Sequence, residues 1–108
     1  VAKNSDRYTY RVTWSEEDQE YVGLCIEFPG LSWLADSPEK ALQGIRKLTH
    51  ECLTDMNQNG EDAPEPLSTK SYSGKFMVRV PPETHRMLAI EAAESGVSLN
   101  RLVSSKLN

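Results

Sequence analysis

Lys75-Phe76-Met77-Val78-Arg79-Val80 alternates without a break, and two prolines, Pro81 and Pro82, follow it at once. The alternation predicts a strand with Phe76, Val78 and Val80 on one face and Lys75, Met77 and Arg79 on the other. Two prolines forbid further pairing and preset φ for a helical turn, so a helix is predicted from near Pro82 to about Ser95. Gly96 ends it as a C-terminal cap. Ser98 then offers an N-cap, Val97 and Leu102 are spaced as a hydrophobic staple, and Leu99, Leu102, Val103 and Lys106 mark one face of a second helix. The order is strand, helix, tight turn, helix, and the strand has no partner within it.

An unpaired strand leaves its amides and carbonyls unsatisfied, so it must borrow a ladder. A twofold dimer supplies one. Two copies pairing antiparallel make a ribbon with Lys75, Met77 and Arg79 from each chain on its open side. Such a ribbon fits the major groove of DNA, where Arg79 and Lys75 can reach guanine O6 and N7 and Met77 can touch a thymine methyl. The free amides around Ser98, Leu99 and Asn100 suit a flanking phosphate. With the turn Gly96-Val97-Ser98-Leu99-Asn100, these residues resemble the ribbon-helix-helix family of repressors. The resemblance implies that Lys75, Met77 and Arg79 face the bases of operator DNA and that the amides near Ser98 clamp its backbone.

Charge divides along the chain. Up to Lys70 there are seven basic and thirteen acidic side chains, and after it five and three, within a net charge of −4 over 108 residues. That balance opposes nonspecific coating of nucleic acid and favours a localised contact by a dimer, with strong salt dependence. Cys25 and Cys52 have no CxxC spacing and read as buried thiols. No signal-like segment and no apolar run of about twenty residues is present, so no membrane partner and a cytoplasmic location are expected. The chain opens on Val1 rather than Met, as a processed or trimmed chain would.

In the front half, Tyr8, Tyr10, Val12 and Trp14 alternate as a strand, Ser15 to Glu20 form a turn, and Tyr21 to Phe28 return as a hairpin partner. Val22, Leu24, Ile26 and Phe28 are expected to face the core, and Pro29-Gly30 to stop the strand. Leu31 to Ala35 make a third strand. Ser37 and Pro38 start a helix in which Ala41, Leu42, Ile45, Leu48, Thr49, Cys52, Leu53 and Met56 recur at helical spacing until Asn59-Gly60. Residues 60–74 have linker composition, within which Leu67 and Tyr72 can add a short edge strand.

The run Glu27-Phe28-Pro29-Gly30-Leu31-Ser32-Trp33, then Ser37-Pro38-Glu39-Lys40-Ala41-Leu42, then Pro64-Glu65-Pro66 resembles HicB-type antitoxins. The resemblance implies an α+β chain: a partial RNase H-like β-β-β-α-β domain over 1–68, a linker over 69–74, and a ribbon-helix-helix module over 75–108. It also implies two tasks, neutralising a HicA-type toxin that cleaves mRNA and repressing the shared operon as a homodimer or higher even oligomer. An acidic front half suits a basic RNA-binding toxin, and Glu27, Trp33 and Asp36 are the candidate contacts.

An RNase H-like sheet raises the possibility of nuclease chemistry, which needs carboxylates gathered around metal ions. Glu27 is the one acid in the expected strands, and His50 and His85 have no triad-like neighbours. No enzyme and no cofactor is expected. The alternatives are a stand-alone ribbon-helix-helix regulator with a ligand-sensing front domain, and a residual nuclease.

Overall fold

The structure, a computed structural model, describes residues 4–108. Val1 lies outside them. The chain divides into two compact units, Val1–Tyr72 and Ser73–Asn108.

The front unit is an antiparallel meander in the order β1-β2-β3, with β1 Tyr10–Ser15, β2 Glu20–Cys25 and β3 Phe28–Ala35, followed by α1 Pro38–Gln58. The β1–β2 turn closes with Gln19 at φ 53°, and the Ser15 hydroxyl and Asp18 carboxylate bond each other across it. Ser37 caps α1 by accepting the Lys40 amide at 3.2 Å, and Pro38 occupies the first turn, where its missing N–H costs nothing. Ala41, Gly44, Ile45, Thr49 and Leu53 recur at intervals of three or four and form the buried stripe. Tyr8, Cys25, Ile45 and Leu53 form the core, with Tyr10, Phe28, Leu31, Leu48 and Ala63 packed around it. Burying a side chain such as Ile45 contributes roughly 1.5–3 kcal/mol.

Three expectations are corrected. First, α1 covers the face opposite to the one the apolar alternation favours. Val12 pairs with Gly23, and Gly23 with Trp33, and a Cβ on Gly23 would lie 2.5 Å from the Ala41 carbonyl oxygen and 2.9 Å from Ile45 Cγ2. The helix therefore seats where β2 has no side chain, and Val22 and Leu24, of opposite parity, point away from it. Second, β2 ends at Cys25 and turns at Ile26-Glu27, while Pro29-Gly30 falls inside β3. β3 is an edge strand with a register shift opposite Leu24/Cys25, so the missing proline amide breaks no ladder.

Third, among the described residues no strand follows α1. Pro64 and Pro66 remove two ladder donors from a short stretch, and side chains satisfy the backbone instead. Tyr8 Oη donates to the Pro64 carbonyl at 2.8 Å, Ser68 Oγ to that of Arg7 at 2.6 Å, and the Thr69 and Lys70 amides both reach the Pro66 carbonyl. Residues 61–70, read as linker, are thus fastened to the segment that leads into β1 and, through the Leu67 amide and Glu27, to the β2–β3 turn.

In the back unit α2 is Pro82–Ser95 and α3 Leu99–Leu107. Gly96, at φ 67° and ψ 27°, closes α2 in the left-handed conformation, and the Val97 amide returns to the Ala92 carbonyl at 3.1 Å. Ser98 caps α3 through the Arg101 amide at 3.1 Å. Ala92 is buried between the helices, Val97, Leu99, Leu102 and Val103 are half-buried, and Lys106 bridges to Glu91 at 3.2 Å.

Candidate nucleic-acid interface

Residues 75–80 form no strand within the single chain, and all six are exposed. Phe76 is 76% exposed, Met77 84% and Val78 62%, values a six-residue apolar alternation does not hold in water without a reason. Phe76, Val78 and Val80 line an open groove whose other wall is Leu88 of α2 and Leu99, Val103 and Leu107 of α3. Lys75 and Arg79 also line that groove, whereas Met77 does not. Among the described residues neither Lys75 nor Arg79 enters an ion pair.

The Leu99 and Asn100 amides precede the first backbone bond of α3, which runs from the Leu102 amide to the Ser98 carbonyl at 3.0 Å. They supply donors at a helix start, whereas the Ser98 hydroxyl is already committed to its cap. Sequence reasoning did not name the helical wall of the groove. The signal was present in the four-residue spacing of Leu99, Val103 and Leu107.

The three residues expected to meet a toxin are not gathered together. Glu27 and Asp36 flank opposite ends of β3. Trp33 is half-exposed, its indole against Gly44 of α1, where any added Cβ would collide with the ring. Asp36 is exposed and pairs with Lys40 at 3.3 Å.

Glu27 has a structural assignment. Its carboxylate accepts the Thr9 amide at 2.9 and 3.1 Å, the Thr9 hydroxyl at 3.1 Å and the Leu67 amide at 2.9 Å. Partial burial pushes this carboxyl up, but the Leu67 and Thr9 donors outweigh that and hold it below its ordinary range. A carboxyl with a depressed folded value stabilises fully above the unfolded value of ~4.3, and the contribution fades as pH falls through the lower folded value. Glu27→Gln should cost about 1–2 kcal/mol at neutral pH, after allowance for solvent, and the cost should shrink in acid. Urea titrations of both proteins at neutral and acid pH check this.

Burial pushes the nearby Cys25 thiol up, as expected for an inert packed thiol, and Cys52 is half-buried. His50 faces the Ser5 hydroxyl at 3.4 Å, and His85 borders the back-unit groove. Among the described residues no three His, Cys, Asp or Glu side chains gather as a metal site, and no helix is long and apolar enough to cross a membrane.

Comparison with known proteins adds one finding. The HicB family model matches residues 58–107, from the last residue of α1 to the last of α3. That stretch of the chain is similar to the HicB family. No curated protein and no solved structure matches the chain.

Proposed function

We propose that this chain is a HicB-type antitoxin of a toxin–antitoxin pair, and that its back unit represses the operon encoding both as a ribbon-helix-helix dimer. The observation that carries the reading is the exposed segment 75–80, with an apolar set continuous with the groove of α2 and α3 and a cationic set without ion-pair partners. A second copy satisfies every part of it. Antiparallel pairing gives the backbone a ladder, Phe76, Val78 and Val80 a dry seam, and Lys75, Met77 and Arg79 one shared face. That face enters the major groove, and the Leu99 and Asn100 amides hold the flanking phosphate.

The antitoxin half of the proposal rests on the HicB match and on charge. Up to Lys70 the chain carries thirteen acids against seven bases, which complements a small basic HicA-type toxin whose own task requires RNA binding. The test is genetic and physical together. A small basic reading frame beside this gene should be toxic when expressed alone, harmless when co-expressed with this chain, and recovered with it on purification. A neighbour that is harmless alone, or that does not co-purify, would overturn the assignment.

Arg79→Ala should weaken operator binding by about 1–3 kcal/mol and relax preference at one base position, with toxin neutralisation intact. Gel shifts against operator variants, alongside the growth assay, check both halves. Neutralisation lost in a folded Arg79→Ala protein would defeat the division of labour.

A further inference from the structure

The sheet of the front unit has a second face that, among the described residues, no helix of that unit covers. α1 lies on the Gly23 side, so the opposite face carries the alternate residues: Arg11 and Thr13 on β1, Val22 and Leu24 on β2, Ser32 and Leu34 on β3. The registers set them in two rows. Arg11, Leu24 and Ser32 are neighbours, as are Thr13, Val22 and Leu34. Leu34 is 44% exposed, and Ile26, in the turn just beyond Leu24, is 45% exposed. Three aliphatic side chains and a fourth at the rim thus form an apolar patch on a flat sheet.

The rim of this face is acidic. Glu16, Glu17, Asp18 and Glu20 bracket the β1–β2 turn with no basic residue among them, and Glu20 shares the parity of Val22. The Trp14 indole donates to Glu16 at 2.7 Å and the Gln19 side-chain amide at 3.1 Å, holding that one carboxyl below its ordinary range. Arg11 is the one cation on the face.

We infer that this uncovered sheet face, centred on Val22, Leu24 and Leu34, is the docking surface for the toxin, a small basic RNA-binding protein. The inference rests on the antitoxin reading above and assigns it a place. Charge chooses the occupant. A second copy would bring a front segment carrying the same excess of six acids against an equal excess, whereas a basic protein meets an apolar centre within a complementary rim. The face is separate from Glu27, which is engaged within the fold, and from Trp33, which lies on the α1 side.

The test uses the full chain and the purified product of the small basic reading frame beside its gene. Leu24→Arg/Leu34→Arg should raise the Kd for that product about 100-fold, while thermal unfolding, oligomeric mass and operator binding stay as in the wild type. Glu17→Lys should slow association and flatten its salt dependence with little change in dissociation. Glu39→Lys, on the exposed start of α1, should change neither. Wild-type affinity in the double variant would overturn the docking face alone, as would a fall in oligomeric mass, which would give the face to a second copy. Failure of the wild-type chain to bind the product at all would overturn the antitoxin reading and this inference with it.

Discussion

Gly23→Val is expected to unfold the front unit. A side chain at this position has nowhere to go, because its first carbon would meet the Ala41 carbonyl oxygen at 2.5 Å and the Ile45 side chain at 2.9–3.0 Å. The oxygen belongs to the backbone of α1 and cannot rotate aside, so the helix must lift from the sheet and take Ile45, which is fully buried, with it. Overpacking of a yielding core costs about 1–3 kcal/mol, and contact with backbone places this site at or above the upper end. A domain of this size has only ~5 kcal/mol or so in reserve. Circular dichroism should show an early melting transition, and toxin neutralisation should fail. A variant that melts with the wild type would show that α1 does not seat on β2 as described.

Val78→Asp is expected to abolish operator binding. Val78 is 62% exposed in the single chain, so the substitution should be nearly silent for the fold of one copy. In the proposed dimer the twofold axis brings two copies of the same seam together, and each aspartate would be buried beside apolar walls without a partner. An uncompensated buried charge costs ~3–5 kcal/mol, which corresponds to roughly two to four orders of magnitude in association. Mass measurement should find monomer at concentrations where the wild type is dimeric, and gel shifts should lose the complex. Met77→Asp, outside the groove lining, should keep the dimer while weakening DNA binding through charge repulsion and loss of the apolar base contact. A dimeric Val78→Asp protein would remove the ribbon from the account.

The contrast between these sites follows what local chemistry can disclose. The three helices were legible because their boundaries are written in single residues: Ser37 with Pro38, Pro82 with Gly96, and Ser98 before Leu99. Each cap is satisfied by neighbours a few positions away, so nothing distant can overrule it. The side of the sheet that receives α1 was not legible in the same manner. Val22, Leu24 and Ile26 outweigh Gly23 and Cys25 in apolar area, yet the parity that wins is the one letting helix and sheet backbones approach, and that depends on α1.

The segment 61–70 misled for a related reason. Its prolines, acids and serine have the composition of a loose connector, but partners far away in sequence hold it: Tyr8 for the Pro64 carbonyl, Glu27 for the Leu67 amide and Arg7 for Ser68. Glu27, an acid in an apolar run, reads from sequence as a toxin contact, while its carboxylate is engaged inside the molecule by Thr9 and Leu67. The Lys75, Met77 and Arg79 alternation remains the feature that sequence exposes most directly, since period-two patterning survives even where no ladder is present.

Pro29 and the slipped register beside it leave β3 a poor template for any incoming strand. A neighbouring chain that tried to extend the sheet there would find one donor missing and the spacing of the rest disturbed, so fibrous stacking is blocked along that border. β1, at the other border, has no proline and keeps its regular spacing. Accidental growth of the sheet into aggregates is therefore confined to a single side, where Arg11 supplies the one cationic deterrent.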